Sequence, residues 1–388
     1  MAAQFDTHDL LLVPLTPVHV GGGEEATLLP EDYRLQDGCA ERLSVRAILA
    51  RLPAPEQAQW LRGMRQAQPE AMQRALASLH EKATGAEILE RIPISPESAQ
   101  ALDLYGEGQG RRNQIDAFFR AGGRPCLPGS SVKGMLRTAW AAEVARRVGA
   151  PRLPDLPEWQ RLRPRDRARQ AKELEKELFA LADGKRAQDT DPFRDVTVAD
   201  APLPDGATRI DPVVTWKRGQ GGGYGFESRG EMHRERLRSV ADGGAPPVIG
   251  LAIGLRRGAI QDAAARLGPD RRPRPDRIPG DLGALMAALG AHHAPLWQRE
   301  VKGKFFDGPA GARLRQALGL FAALDRDGPQ PEAALVRLGW ASHAEAKSLA
   351  GLRRIERPQA RGQGRIAPEG SARHVVNLDG HSPSAGRC

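Results

Sequence analysis

A chain of 388 residues with 40% hydrophobic side chains has room for two domains of ordinary size, each with its own core. Fifty-seven Lys and Arg against 48 Asp and Glu leave a net charge of +9, mostly arginine, which suits a polyanionic partner better than an acidic one. Three isolated cysteines, Cys39, Cys126 and Cys388, argue against a disulfide framework and a cysteine-rich zinc site, and no run of about 18 apolar residues marks a membrane span. The N-terminal stretch MAAQFDTHDLLLVPL lacks the basic start and cleavage site of a signal peptide, so a cytoplasmic protein is expected. Arginine, alanine, glycine and proline are enriched together, as GC-rich coding produces. Charge alone is therefore a weak pointer to nucleic acid.

Leu10 to Val20 is apolar and β-rich, ends in Gly21, Gly22 and Gly23, and reads as a strand running into a turn. Helices are expected over Arg42–Leu52, Pro55–Gln66 and Glu70–Lys82. Gly106 to Arg112 reads as a loop, and Gln114 to Arg120 carries apolar residues at helical spacing. In the segment Arg124–Gly149, Pro128-Gly129 makes a turn and Ser130 or Ser131 is placed to cap a helix. Val132, Met135, Leu136, Ala139, Trp140 and Val144 then share one face of that helix. A charged amphipathic helix over about 158–183 looks like an insertion. Val196–Val198, Arg209–Trp216 and Pro247–Leu255 read as strands, with a glycine-rich loop at Gly219–Gly225. Pro269 to Pro279 reads as a loop, followed by helices near Asp281–Leu289 and Gly311–Asp325. From Arg357 onward the composition is that of a disordered tail. The order of elements fits an α+β protein with two similar modules.

Two segments have the chemistry to hold a polyanion. In Gly129-Ser130-Ser131-Val132-Lys133-Gly134, a helix N-terminus offers unpaired N–H groups, glycine allows close approach, and Lys133 and Arg137 leave one flank four residues apart. The bland alternative, a capped helix with solvated basic residues, explains the same pattern. GxxxxGK[ST] is absent, so this is not a nucleotide-binding P-loop. In Thr16-Pro17-Val18-His19-Val20, the following glycines allow RNA to lie against backbone amides; a tight turn and a structural histidine are the bland alternative. His292-His293 lacks cysteine or carboxylate partners at zinc spacing and reads as surface. Glu227–Arg238, ESRGEMHRERLR, reads as a solvated charged face whose arginines are available to RNA. No GxSxG, HExxH or Cys/His nucleophile pair occurs, and neither metal nor cofactor is expected.

TPVHVGGG and LPGSSVKGMLRTA together resemble the first strand and the signature loop and helix of the RAMP superfamily of CRISPR proteins. Asp191-Pro192-Phe193-Arg194 with Val196, Val198, Ala199 and Asp200 resembles a block of the fifth subunit of the Csm (type III-A) complex. Arg337-Leu338-Gly339-Trp340, with Ser342 and Lys347, resembles that subunit's late glycine-rich segment, although Ala341-Ser342-His343 breaks the second half of the pattern.

The resemblance implies two tandem ferredoxin-like, RRM-like modules with helical insertions: residues 1–200, then 201–356, then a flexible tail over 357–388. It implies CRISPR RNA, other RAMP subunits and recruited host nucleases as partners, with no membrane. It implies a non-catalytic subunit that contacts the 3′ region of the guide RNA and supports its maturation. RNA contacts are expected at His19, Gly21, Gly22, Gly23, Gly129, Ser130, Ser131, Lys133, Arg137, Arg337 and Lys347. Asp32 and Asp37 occupy the place of a sister subunit's catalytic aspartate only by position and read as turn residues. One competing reading is an RNA-processing endonuclease, with His19 as general base on a 2′-hydroxyl and Lys133 stabilising transition-state charge. Another is a different backbone subunit of a Csm or Cmr complex.

Overall fold

A computed structural model describes residues 4–23, 26–66, 68–103, 113–150, 153–181, 191–218, 224–267, 269, 274–302, 333–357, 365–367, 370 and 372–376. In chain order the elements are β1 (Phe5–Leu12), β2 (Thr27–Leu28), β3 (Tyr33–Gln36), β4 (Cys39–Leu43), α1 (Val45–Arg51), α2 (Ala54–Arg65), α3 (Pro69–Lys82), β5 (Ile88–Pro93), α4 (Pro96–Ala101), β6 (Ile115–Asp116), β7 (Arg120–Ala121) and β8 (Arg124–Leu127). Then come α5 (Gly129–Val148), α6 (Leu156–Arg161), α7 (Pro164–Phe179), β9 (Val196–Val198), β10 (Ala201–Pro202), β11 (Thr208–Arg218), β12 (Tyr224–Leu237) and β13 (Ile249–Arg256). The last are α8 (Ala259–Leu267), α9 (Leu282–Lys302), α10 (His343–Ala346), β14 (Ile355–Arg357), β15 (Arg365–Ala367) and β16 (Ala372–Val376). The protein is a mixed α+β fold.

One sheet has the order β1-β13-β9, antiparallel throughout, with Phe5 opposite Arg256 and Leu12 opposite Ile249. Along the chain this is strand, helix α5, strand, strand, helix, with the third strand lying between the first two. Ile249, Leu251, Ile253 and Leu255 alternate onto one face and pack with Val132, Leu136, Trp140 and Val144 of α5 and with Leu285 and Leu289 of α9. Trp140 is buried, and its indole N–H donates to the Arg277 carbonyl at 2.8 Å. The boundary expected at residue 200 runs through this sheet, since β9 precedes it and β13 follows it. A strand–helix–strand crossover returns to the same sheet, so α5 binds the two halves together.

The second sheet runs β16-β11-β12-β6-β2. Its spine is the long antiparallel pair β11–β12, with a bulge between Val213 and Thr215. A third sheet, β3-β4-β5, lies beside the small apolar cluster that α1 and α3 form with Leu43 and Ile88.

Several expectations change. The first strand ends at Leu12, not Val20; Val18 and Gly21 make only isolated bridges, to Leu237 and Phe118. The 114–120 stretch is extended, with Ile115, Ala117 and Phe118 buried between elements, not helical. The charged insertion is two helices, broken at Leu162 and restarted at Pro164. His292 and His293 are buried rather than superficial, and the His292 Nε2–H donates to the Ala346 carbonyl at 3.2 Å. The supposed tail contributes β16, which pairs with β11 from Lys217↔Ala372 to Val213↔Val376. Asp37 does sit in a turn, at φ 50°. The expected loops at 106–112 and 219–223 and the helix at 311–325 lie outside the described residues.

Candidate nucleic-acid interface

After Leu12 the chain leaves the first sheet and crosses to the end of β12. The Leu237 N–H donates to Val18 O at 2.7 Å, and the Phe119 N–H donates to Val20 O at 2.7 Å. These bonds string His19 to Gly23 between β12 and the start of β7. The late segment then crosses over it: the Trp340 N–H donates to His19 O at 2.8 Å. Gly339 makes this crossing possible. It holds φ 91°, and a Cβ there would sit 2.4 Å from the His19 carbonyl oxygen.

A cleft of about 660 Å³ opens beside the crossing. Its walls are His19, Gly21 and Gly23, the first turns of α5 (Ser130, Ser131, Gly134, Met135, Thr138), Thr27, Asp116, Arg234, and the segment from Arg337 to Lys347. The apolar stripe of α5 faces the first sheet's core, which leaves its hydroxyl-bearing side for the cleft.

Beneath the cleft lies a buried ionic network. The Glu235 carboxylate is fully buried and accepts from the Phe118 N–H at 2.8 Å, the Thr208 hydroxyl at 2.7 Å and Arg120 at 2.8 and 3.0 Å. Arg120 also reaches Glu90 at 2.6 Å. Next along β12, Arg236 is buried between Asp211, at 2.6 Å, and Asp242. Every lone pair of Glu235 faces a donor, so the charge is tolerated in the interior and fixes the backbone that holds His19.

His19 Nδ1 is 2.6 Å from the Glu235 carbonyl oxygen, and its ring meets Phe118 edge-on with centroids 6.2 Å apart. Burial pushes its pKa below the usual histidine value. Arg234 lies over the Trp340 ring, 3.8 Å from its centroid, and pairs with Asp116 at 2.7 Å. Trp340 keeps 37% of its surface exposed, and His374 lies 4.2 Å from it, centroid to centroid.

Of the residues expected to contact RNA, His19, Gly21, Gly23, Ser130, Ser131, Arg337 and Lys347 line this one cleft. Gly22, Gly129, Lys133 and Arg137 do not. Gly129 is buried against Val198 and Ala199, where a Cβ would lie 2.2 Å from the Val198 carbonyl oxygen. Its N–H donates to Asp200 at 2.7 Å, so a carboxylate of the chain itself already sits at the helix start. Neither serine caps α5, whose N-cap is Pro128; both residues line the cleft instead. Arg137 pairs with Asp191 at 2.9 Å and with Glu175, and stacks on Phe179 at 4.3 Å. It fastens α7 to α5. Lys133 has no ion-pair partner among the described residues. Arg337 is neutralised by Glu300 at 2.5 Å, and Lys347 donates to the Trp340 carbonyl at 3.3 Å.

The RAMP superfamily's sequence model matches residues 12–247. The chain belongs to the RAMP superfamily. Among solved structures, this RAMP protein is similar to a chain in a cryo-EM structure of a Csm–crRNA–target RNA ternary complex of a type III-A CRISPR-Cas system. That similarity has 17% identity and a TM-score of 0.59, covering 97% of this chain and 98% of the other. It is also similar to crystalline T. onnurineus Csm5, with 16% identity and a TM-score of 0.53, over 85% of this chain and 89% of that one. No curated protein sequence matches it. The RAMP match stops at residue 247, yet the cleft draws Arg337 to Lys347 from beyond it. Arg234, Asp116 and Thr27 are cleft residues that lie outside the motifs. The arginines of the charge-dense 227–238 segment were the one signal for Arg234. Among the described residues, no group of three or more His, Cys, Asp or Glu is placed to hold a metal ion. None of their helices is long and apolar enough to cross a membrane.

Proposed function

We propose that the protein is a non-catalytic CRISPR RNA-binding subunit of a type III, Csm-like effector complex. The observation that carries this reading is convergence. Three blocks of the sequence, around His19, Ser130 and Arg337, are far apart along the chain and meet in one cleft. In this reading the cleft holds the 3′ region of the guide, other RAMP subunits flank the chain, and host nucleases are recruited for guide maturation, all in the cytoplasm. The β1-α5-β9-β13 unit with its helices is one ferredoxin-like module, and the β11–β12 sheet is the platform of a second, RRM-like one. A non-catalytic role is supported by charge placement. Lys133, the group an endonuclease would need beside His19, lies outside the cleft lining, while Arg234 and Arg337 are already paired with carboxylates.

The test is titration of single-stranded repeat-derived RNA at several salt concentrations, with gel analysis of the RNA after long incubation. Salt-dependent binding of intact RNA is expected. Cleavage that disappears in His19→Ala would establish the endonuclease instead. Co-purification from the native cell separates this subunit from other backbone positions, because the guide's 3′ end should be the part it protects.

A further inference from the structure

We propose that His19 reads the 2′-hydroxyl of a ribose lying in the cleft, accepting a hydrogen bond from it at Nε2, and so makes the site select RNA over DNA. The inference rests on the RNA-binding reading and names the chemistry within it.

A carbonyl oxygen has no hydrogen to give, so the 2.6 Å contact to Glu235 O requires the proton on Nδ1. Nδ1–H donates, and Glu235's backbone is held by the network around its own carboxylate. Burial keeps the ring neutral at physiological pH. In the neutral tautomer with Nδ1–H, Nε2 is a bare lone pair. Among the described residues that lone pair has no hydrogen-bond partner, and it is open to solvent. It lies beside Gly21, where a Cβ would come within 3.0 Å of it, and Gly21 is exposed on the cleft wall. The chain thus keeps an acceptor in fixed orientation behind the one residue type that leaves it uncovered. The rest of the cleft fits a sugar better than a row of phosphates. Its arginines are paired with Asp116 and Glu300, Lys347 is its one cation without a carboxylate among the described residues, and the α5 wall offers the hydroxyl-bearing residues Ser130, Ser131 and Thr138. A 2′-hydroxyl is the donor by which RNA differs from DNA.

The experiment compares one single-stranded sequence in three forms, as RNA, as fully 2′-fluoro RNA and as DNA, by fluorescence anisotropy with the full chain. The 2′-fluoro form keeps an RNA-like sugar and cannot donate. Wild type is expected to bind the hydroxyl form roughly three- to tenfold more tightly than the fluoro form, the worth of one neutral hydrogen bond. His19→Asn keeps an amide N–H near the Nδ1 position and has nothing at Nε2. Gly21→Ala keeps the histidine and covers it. Each should abolish the preference, bringing the ratio of hydroxyl to fluoro affinity close to one whatever happens to the absolute affinities, with a thermal melt confirming the fold. Equal binding of hydroxyl and fluoro forms by wild type overturns the proposal, as does a preference that survives in both variants. Failure to bind any of the three forms at low salt is a different result and removes the RNA-binding reading itself.

Discussion

Gly339 bears on His19 through its backbone alone. Alanine there would need φ 91° and would drive its Cβ against the His19 carbonyl oxygen, a backbone atom that cannot swing aside. Gly339→Ala is expected to destabilise the protein by at least about 1–3 kcal/mol and to weaken RNA binding by displacing Trp340 from Arg234. Urea denaturation with tryptophan fluorescence measures the first effect and RNA titration the second, and an unchanged midpoint would refute the crossing. The sequence showed each glycine block as a turn. That one turn closes on the other is a tertiary fact with no local signal. The same holds for Glu235 and Arg236. Adjacent strand residues point to opposite faces, and here both faces are buried, so Glu235 and Arg236, which read as solvated charge, are interior. The partners that make this tolerable, Arg120, Thr208, Asp211 and Asp242, come from other parts of the chain.

The spacing of α5 puts Lys133 and Arg137 on one flank, yet α7 separates their fates. Arg137→Ala removes the pairs to Glu175 and Asp191 and the stack on Phe179. These are partly exposed contacts, so global stability should fall by only about 1 kcal/mol. Limited proteolysis should become faster between α6 and the end of α7, with RNA affinity nearly unchanged. Lys133→Ala should leave the melt unchanged and, if RNA passes along the outer edge of α5, flatten the salt slope by about one unit. A large affinity loss in Arg137→Ala without new cleavage would contradict this division. Helices such as α2, α3 and α5 were legible because an apolar face repeats over many turns. The two-residue strands β6 and β7 were not, because Ile115 and Phe118 fit helical spacing as well as a bridged, extended chain. β16 hid within a tail of arginine and glycine. Its alternation, with Arg373 and Val375 inward, covers five residues, too few to outweigh the composition around them.

Across the whole molecule, many of the histidines are held neutral by burial. The pKa of His233 falls from 6.5 to about 4 through burial. That of His293 falls to about 3 through burial and then the charges of His292 and Arg337. His343 falls to about 4 through burial and then Arg373. Because these folded-state values lie below the unfolded one, the unfolded chain takes up protons first. The stabilisation is complete above about pH 6.5 and is lost progressively down to about pH 3–4. Melting temperature should therefore be level above pH 7 and fall between pH 6.5 and 4.5; a flat profile across that interval would show that these side chains are not enclosed.

The hydrogen bond from Trp340 to His19 also sets a clock on biosynthesis. A ribosome delivers His19 among the first residues and Trp340 only after most of the chain has emerged. Until then the cleft lacks one wall, and the bare nitrogen of His19 faces open water. A nascent chain that already displays the whole family-matched region, 12–247, still lacks the Arg337–Lys347 wall of the cleft. The cleft is therefore complete only when the late part of the chain has folded onto the early part, and a truncated product carries the family-matched region without a finished cleft.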